Sequence, residues 1–418
     1  MSAATNDLDD LLAPELIPNP YAVYDRWRAD DPVYWNAHLD AWLVLGHDDV
    51  HQALGDHGLI SSDRTVAFTS HLSEPEKEHF SLWIEMRKRM LLYNDPPRHT
   101  MLRRPVHKGM TVRLANAMRP KIEQITGELI DGFAERGEFD GIADFGSRIP
   151  VIVNSELIGI PAEDRDRVKN WTSDFISAIN AGGANIASSA LERGQTAVAG
   201  MREYFPRLAE RKRSEPAEDL LSALVAQRAE GSEALSEDDD LVATCIVLLF
   251  AGLETALNLI GNGLLALLQN PQQLELLRGD PSLLPGAVEE ILRYDGPLHL
   301  VGRRATRDFT LRGKDIAKDD KVLLMLGAAN RDGAAFPDPH RLDITRPARQ
   351  HVAFGYGVHY CPGAELSRII GETAFGTVLR RLPDLALADG PLSWQPNLSF
   401  RGLTTLPLRF TPVPRERS

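Results

Sequence analysis

The sequence of 418 residues has little cysteine, little positive charge and no apolar segment at its start. Its two cysteines, Cys245 and Cys361, exclude a disulfide framework and a cysteine-rich zinc site. Lys and Arg number 46 against 59 Asp and Glu, and the net charge of −13 argues against non-specific nucleic-acid binding, which needs a basic face. Residues 1–20 contain neither a basic stretch nor an apolar core, so we expect no signal peptide and a cytoplasmic, reduced protein.

The composition is otherwise that of a folded globular protein, with 43% hydrophobic and 25% charged residues. One uncharged run, 241–253, requires a choice between a membrane helix and a buried helix. A membrane helix needs about 20 apolar residues. Glu254, Asn258 and Asn262 follow on one helical face, where a charge would be costly in lipid. The pattern therefore favours the central helix of a folded core, with one polar stripe facing a cavity.

Helix signals outnumber strand signals along the chain. Helices are predicted at 21–29, from Pro96, and at 117–136, 163–180, 236–269, 284–294 and 363–381, and short strands at 32–36, 41–45 and within 309–326. Asp95 is expected to cap the helix that begins with two prolines. The Gly- and Ala-rich stretch 181–195 is either a plain flexible loop or a mobile lid. The whole is a mainly α protein with a minor β part.

The most informative stretch is 354–363, with the sequence FGYGVHYCPG. Gly355 and Gly357 permit a tight turn and the close approach of a flat ligand to the backbone. Cys361 follows at the end of the loop, before a predicted helix whose N–H groups can stabilise a thiolate. A single thiolate so placed suits a haem iron, which needs one axial protein ligand. The alternatives are an inert buried cysteine and a zinc site with His359, for which a second cysteine pair is missing.

These residues resemble the cysteine loop of the cytochrome P450 family of haem-thiolate monooxygenases, in its bacterial, soluble form. The resemblance extends over most of the chain, from near Asp95 to the C-terminal strands. It implies a single P450 domain over 15–413, with tails at 1–14 and 414–418, built as a triangular helical prism around haem b with a long central helix. Cys361 would be the iron ligand, and Pro362 stands where the family commonly has an aliphatic residue.

Residues 251–255, with the sequence AGLET, resemble the oxygen-binding signature of the same family. The small side chains of Ala251 and Gly252 would allow the haem to lie against the helix. The resemblance implies that Thr255 and Glu254 are the catalytic residues. Thr255 would hydrogen-bond dioxygen, and Glu254 would pass protons inward.

Glu290 and Arg293 resemble the ExxR pair of the family, which has a structural role. On a surface helix such a pair is commonplace and contributes only about 0.2–0.5 kcal/mol. Its expected partner is Arg346, with Arg341 as the alternative. The three residues would form a buried ion-pair network that holds the cysteine loop.

The resemblance also implies contacts for the rest of the haem and for a substrate. The expected haem contacts besides Cys361 are His99, Arg103, Arg303, His359, Phe354, Ala251, Gly252, Gly355 and Gly363. The first four would meet the propionates. The expected substrate pocket contains Leu248, Ala251, Leu298, His299, Val301 and Leu403. His299 is either a polar handle for the substrate or a hydrogen-bonded wall residue.

We therefore expect a monooxygenase that inserts one atom of O2 into a hydrophobic small molecule, by hydroxylation or epoxidation, in natural-product or xenobiotic metabolism. Desaturation or oxidative coupling is the alternative reaction, and a haem-binding sensor or carrier is the alternative outside enzymes. Electrons would come from NAD(P)H through a separate ferredoxin and ferredoxin reductase. A basic patch would dock the ferredoxin, and it consists of Lys88, Arg89, Arg104, Lys108 and Arg113. We expect a monomer with no membrane or nucleic-acid partner.

Overall fold

The computed structural model describes residues 10–70, 72–180, 188–347 and 350–415. The chain divides into two compact units. Unit 1 contains residues 1–60, 119–150 and 254–418, and unit 2 contains residues 61–118 and 151–253. Most of the expected tails lies outside the described residues. Within the first tail, however, Leu11 and Ala13 are buried in a hydrophobic cluster of unit 1.

The described residues are mainly helical, as predicted. The helices are α1 Tyr21–Asp30, α2 His47–Gly55, α3 Thr65–Thr69, α4 Glu74–His79, α5 Ser81–Arg89, α6 Arg98–Gly109, α7 Val112–Ala117, α8 Arg119–Asp131, α9 Arg148–Ile158, α10 Arg165–Asn180, α11 Ser188–Ser214, α12 Leu220–Ala229, α13 Asp238–Gln269, α14 Pro271–Gly279, α15 Leu284–Asp295, α16 Leu326–Ala329 and α17 Ala364–Arg381. The strands are β1 Val33–Asn36, β2 Ala41–Val44, β3 Ile60–Ser61, β4 Glu138–Asp140, β5 Val301–Ala305, β6 Phe309–Leu311, β7 Lys314–Ile316, β8 Lys321–Leu324, β9 Ala386–Leu387, β10 Ser393–Trp394, β11 Leu403–Thr405 and β12 Pro407–Arg409.

Two local predictions were wrong in detail. Residues 188–195 of the expected loop 181–195 belong to α11, and the rest of that loop lies outside the described residues. Asp95 does not cap α6, whose N-cap is Pro97 without a side-chain hydrogen bond. The Asp95 carboxylate instead accepts a hydrogen bond from the backbone N–H of Ser62, at 2.9 Å, and another from the hydroxyl of Ser61. Asp95 therefore connects residues 61–62, which precede α3, to the residues that precede α6.

The largest sheet of unit 1 has hydrophobic clusters on both faces. Its strand order is β1-β2-β8-β5-β3, with β2 and β8 parallel and the other described pairs antiparallel. Successive side chains on a strand point to opposite faces. Leu43 accordingly belongs to the cluster that includes α1, whereas its neighbour Val44 packs with Val322 and Leu324 in the second cluster.

The turn between β6 and β7 follows from its two central residues. Leu311 pairs with Lys314, so the hairpin loop contains only Arg312 and Gly313. Both have a positive φ, 50° and 78°. Two positive φ values are the condition for a type I′ turn, whose twist matches that of the flanking strands.

The long helix α13 has 32 residues, which corresponds to about 48 Å at a rise of 1.5 Å per residue. Three acidic residues, 238–240, occupy its first turn, where the helix dipole favours negative charge. By length and composition α13 is apolar enough to cross a membrane, but 61% of its most apolar stretch is buried inside the protein. Gly263 packs closely against Phe375 of α17, as in the core helix that the sequence predicts.

Unit 2 is built from α3 to α7, α9 to α12 and the first part of α13. Its core contains fully buried aromatic side chains, among them Trp83, Phe175 and Phe205. The rings of Trp83 and Phe175 lie 6.0 Å apart, and Phe175 lies 5.5 Å from Phe250 of α13. These rings form a continuous apolar row from α5 through α10 to α13.

Candidate active site

The loop that ends in Cys361 is held by backbone hydrogen bonds in unit 1. The N–H of Cys361 donates to the carbonyl of Phe354 at 2.9 Å, and that of Gly355 donates to the carbonyl of Val352 at 2.9 Å. Gly357 has a φ of 70°, and a Cβ there would lie 3.1 Å from the carbonyl oxygen of Leu54. Glycine is therefore required at 357 for conformation and for space.

The two cysteines have different surroundings. Cys361 is partly exposed at the end of its loop, two residues before Gly363, the N-cap of α17. Cys245 is buried in the apolar part of α13, where desolvation raises the pKa of its thiol to about 12. Of the two thiols, that of Cys361 is therefore the one that a ligand can reach.

An ion-pair cluster that the sequence did not reveal supports this loop. The Phe354 ring lies 4.8 Å from the guanidinium carbon of Arg368 on α17. Arg368 donates to Glu289 of α15 at 2.6 Å, and His351 lies 3.2 Å from the same carboxylate. Burial tends to raise the pKa of Glu289, but the hydrogen bonds from His351 and Arg368 outweigh it and lower the pKa to about 2. The Phe354 ring thus contacts Arg368 of α17, which is itself paired with Glu289 of α15.

The neighbouring residue Glu290 forms a second network, which brings together the residues of the ExxR motif. The Arg293 guanidinium donates to both carboxylate oxygens of Glu290 at 2.7 Å, and to the backbone carbonyls of Asn330, Pro339 and Arg341. Arg346 donates to Glu290 at 3.3 Å. Glu290 and Arg293 are fully buried. Arg346 is therefore the side-chain partner, whereas Arg341 contributes its carbonyl oxygen.

A short stretch of α13 is accessible in an otherwise buried helix. Ala251 is exposed and residues 252–255 are half-buried. Residues 241–247 and 258–267 of the same helix are buried. In unit 2, a Cβ at Gly252 would lie 2.7 Å from the side-chain amide nitrogen of Asn154, so a larger residue would not fit. Glycine is therefore required at 252, where α13 packs closely against Asn154 of α9.

Glu254 carries the unusual carboxylate of this stretch. Its Oε2 atom is buried and has no hydrogen-bond partner among the described residues. Desolvation raises the pKa of Glu254 above its ordinary value. A carboxyl group in this state can hold a proton nearer to neutral pH than an exposed glutamate can. Thr255 follows it and is half-buried.

The four basic side chains expected at the haem propionates lie two in each unit. In unit 2, α6 carries His99, which is buried, and Arg103, which is half-buried, one helical turn apart. In unit 1, Arg303 is buried on β5, where it donates to the carbonyl of Gly302 at 2.9 Å. His359 is half-buried in the turn before Cys361.

The residues expected at the substrate pocket differ in exposure. Leu248, in unit 2, is half-buried, and so are Leu298 and Val301 in unit 1. Leu403 is fully buried in β11. A hydrophobic substrate would meet the half-buried side chains more readily than a side chain that is already covered.

His299 lies in a buried polar network of unit 1. Its Nε2 is 3.2 Å from the hydroxyl of Tyr21, and its Nδ1 is 3.3 Å from the hydroxyl of Tyr24. Tyr21 also donates to Asp295 at 2.5 Å, and Arg401 donates to Asp295 at 2.6 Å. Desolvation, together with the charge of Arg401, lowers the pKa of His299 to about 3. The His299 ring is thus hydrogen-bonded within the protein, and its place at the wall of a substrate pocket stays a prediction.

Comparison with known proteins identifies the family. A model described as "Cytochrome P450" matches residues 187–383. Cytochrome P450 107B1 of Saccharopolyspora erythraea is 42% identical over 89% of both chains. The vitamin D(3) 25-hydroxylase of Pseudonocardia autotrophica is 40% identical over 96% of both chains.

The chain belongs to the cytochrome P450 family. The solved structure of CalO2 has the same fold as this P450, with a TM-score of 0.89, 31% identity and coverage of 96% of this chain and 98% of the other. The predicted fold class and the predicted activity, that of a monooxygenase acting on hydrophobic small molecules, are therefore confirmed. As a P450, the protein uses a haem-iron cofactor.

The residues of unit 1 described above fit a haem. The partly exposed thiol of Cys361, at the end of a glycine-containing loop, offers one soft ligand for iron. Arg303 and His359 of the same unit carry donors suited to carboxylates. Cys361 would hold the iron, and Arg303 and His359 would contact propionates. His99 and Arg103, the other two expected propionate ligands, carry donors of the same kind in unit 2.

Proposed function

We propose that this P450 hydroxylates an apolar small molecule, with Cys361 as the axial ligand of its haem. The observation that carries the proposal is the loop 354–361, which leaves one partly exposed thiol at the start of α17. A haem bound there supplies the iron centre at which O2 is activated. The relative from Pseudonocardia autotrophica is a vitamin D(3) 25-hydroxylase, which supports hydroxylation as the reaction.

The protein supplies the protons of the reaction. In this proposal, Glu254 holds a proton on a carboxyl group whose pKa is raised by desolvation. The hydroxyl of Thr255, the next residue on the helix, would accept the proton of Glu254 and donate its own hydrogen onward, so that the two side chains together would deliver protons to the reaction. The half-buried side chains of Leu298 and Val301 would orient the substrate and exclude water.

Electrons must come from another protein. We propose that a ferredoxin delivers them from NAD(P)H through a ferredoxin reductase, in the cytoplasm, to a monomeric P450. Arg104, Lys108 and Arg113 of the basic patch would provide the docking surface, because an acidic ferredoxin is attracted by positive charge.

The decisive experiment compares two cysteine variants. Cys361→Ser should lose the thiolate-type Soret band of the reduced, carbon-monoxide-treated protein, together with substrate oxidation. Cys245→Ser should keep both, because Cys245 is a buried packing residue. Retention of the thiolate-type band in Cys361→Ser would overturn the proposal.

A further inference from the structure

Arg87 on α5 lies in a box of aromatic rings in unit 2. Its guanidinium carbon is 4.1 Å from the ring centre of Tyr93, 4.4 Å from that of Phe68 and 5.5 Å from that of Trp83. The residue is only 5% exposed. A second guanidinium, that of Arg64, lies 5.3 Å from the same Tyr93 ring. Two cations thus share one apolar enclosure.

Five buried polar atoms of these residues and of Thr65 lack a hydrogen-bond partner within the described part of the chain, and four of them can only donate. Within the described part of the chain, Nε and Nη1 of Arg87 and Nε of Arg64 are buried and have no hydrogen-bond partner. The same holds for the indole N–H of Trp83 and the hydroxyl of Thr65. Buried donors are nearly always satisfied in native proteins. A cluster of them in one place is complementary to a ligand that brings acceptors.

The aromatic contacts do not replace a counter-ion. A cation over a ring gains less than the loss of hydration costs a fully buried ion. Desolvation accordingly lowers the pKa of Arg87, and the nearby charge of Arg64 lowers it further, against opposing effects of Tyr93 and Asp63. By contrast, buried Arg293 has a carboxylate and three carbonyl oxygens as acceptors. Nε and Nη1 of Arg87 therefore lack the hydrogen-bond acceptors that the Arg293 guanidinium has.

The two guanidinium groups favour a negatively charged ligand. Arg64 and Arg87 both carry positive charge, and the charge of Asp63 opposes part of their mutual repulsion at Arg87. A singly charged carboxylate would add negative charge and would accept hydrogen bonds from several of the unpaired donors.

The apolar row of unit 2 begins at this enclosure. From Trp83 beside Arg87, the rings of Phe175 and Phe250 follow in sequence, and Phe250 precedes exposed Ala251 on α13. Trp83 and Phe175 are themselves fully buried, so the apolar body of a ligand would contact the accessible Ala251 at the end of the row while its charged end stays at Arg87.

We propose that Arg87, with Arg64 beside it, binds the carboxylate of the substrate, which is then an amphipathic acid with an apolar body. This inference rests on the proposed function, because it names the substrate class of the same enzyme. Arg87 is a binding and specificity-determining residue in this proposal.

The test uses equilibrium binding to the oxidised holoenzyme without reductant, measured by calorimetry at about pH 7.5, where the acids are ionised. The probes are pairs of equal chain length, a saturated fatty acid and its primary alcohol, from octanoate to hexadecanoate. In the wild-type protein, at least one acid should bind about tenfold more tightly than its alcohol. Equal affinities throughout the series, or a preference for the alcohols, would overturn the proposal.

Variants then locate the preference. Arg87→Gln should bring the acid and the alcohol to within about twofold of each other, mainly by weakening the acid, and Arg64→Gln should reduce the preference partly. Lys77→Gln on α4 removes one exposed positive charge from the same segment and should leave the preference intact. A preference that survives Arg87→Gln would show that the carboxylate binds elsewhere.

The experiment separates this inference from the proposed function. Binding without reductant does not depend on turnover, and the Cys361→Ser spectrum does not depend on Arg87. A P450 that oxidises neutral substrates and shows no acid preference would refute the carboxylate site alone. An acid preference that depends on Arg87, in a protein that lacks the thiolate-type band, would refute the proposed function alone.

Discussion

At the scale of single residues, Glu254 is held in a state that costs stability. Its pKa is raised in the folded protein by desolvation. Between the unfolded and the folded pKa, the folded state binds the proton that the unfolded state has released. The free energy of unfolding therefore falls as the pH rises from the unfolded pKa to the folded pKa. At higher pH the free energy of unfolding stays at the lower value. Such a cost is typical of a group that is placed for function.

We predict that Glu254→Gln makes the protein more stable and less active. Glutamine stays neutral, so the melting temperature should exceed that of the wild type at neutral pH, and the difference should shrink as the pH approaches 4.5. The rate of product formation should fall by about 10²-fold, since one proton-transfer group is lost. Thermal melts over a pH series and product analysis measure both effects. A variant that is less stable at neutral pH, or equally active, would refute this role.

His299 has the opposite effect on how the stability of the protein depends on pH. Its folded pKa of about 3 lies below the unfolded value of 6.5, so the unfolded state binds the extra proton between these values. Stability is therefore lost as the pH falls below 6.5, by roughly 1.4 kcal/mol per pH unit from this residue. We predict that His299→Gln removes this part of the slope in urea unfolding at pH 7 and pH 5. Tyr24→Phe keeps the imidazole and should keep the slope, and equal slopes in wild type and His299→Gln would contradict the argument.

At the scale of elements, α15 contributes two adjacent carboxylates to two different networks. Glu289 pairs with Arg368 of α17, and Glu290 pairs with Arg293 and Arg346. Both networks lie beside the segment that leads to the cysteine loop, so α15 fixes that loop by side chains and not by backbone pairing.

We predict that Glu290→Ala destabilises the protein by about 3–5 kcal/mol, because it leaves the buried Arg293 guanidinium without its carboxylate. The haem content of the purified protein should fall as well. The pair Glu275 and Arg278 on α14 has the same spacing at the surface, so Glu275→Ala should cost less than about 1 kcal/mol. Urea unfolding of both variants provides the comparison, and equal effects would show that burial of the pair is unimportant.

Elements with a strong local signal could be predicted from the sequence. The uncharged run before Glu254 specifies α13, and α1, α10, α15 and α17 were expected within two residues of their observed ends. Arg346 could be named because the motif of Glu290 and Arg293 requires a partner. The remaining features depend on residues distant in the chain.

Glu289 illustrates what the sequence could not reveal. Nothing near it predicts the contacts with His351 and Arg368, which lie more than sixty residues away and meet it only through packing of α15 and α17. Asp95 has the residue type and position of a helix cap. Its carboxylate instead accepts a hydrogen bond from the backbone N–H of Ser62. The unpaired donors of Arg87 likewise become visible only when the rings around it are in place.

At the scale of the whole molecule, the net charge of −13 contrasts with the basic patch. The patch is smaller than its sequence suggested. Lys88 is paired with Glu85, and Arg89 is paired with both Glu237 and Asp240. In the described ranges, Arg104, Lys108 and Arg113 are exposed and form no ion pair. These last three residues therefore provide the positive field that remains for a partner.

We predict that the double variant Arg104→Glu/Lys108→Glu slows reduction of the holoenzyme by an acidic ferredoxin by about tenfold at low ionic strength. The loss should shrink at about 1 M salt, where the screening length falls to about 3 Å. Arg307→Glu/Lys318→Glu changes the net charge equally at exposed sites in and beside the β6–β7 hairpin region, and it should have much less effect. Stopped-flow reduction over a salt series distinguishes a local patch from net charge, because equal slowing by both variants would leave only the net charge as the cause.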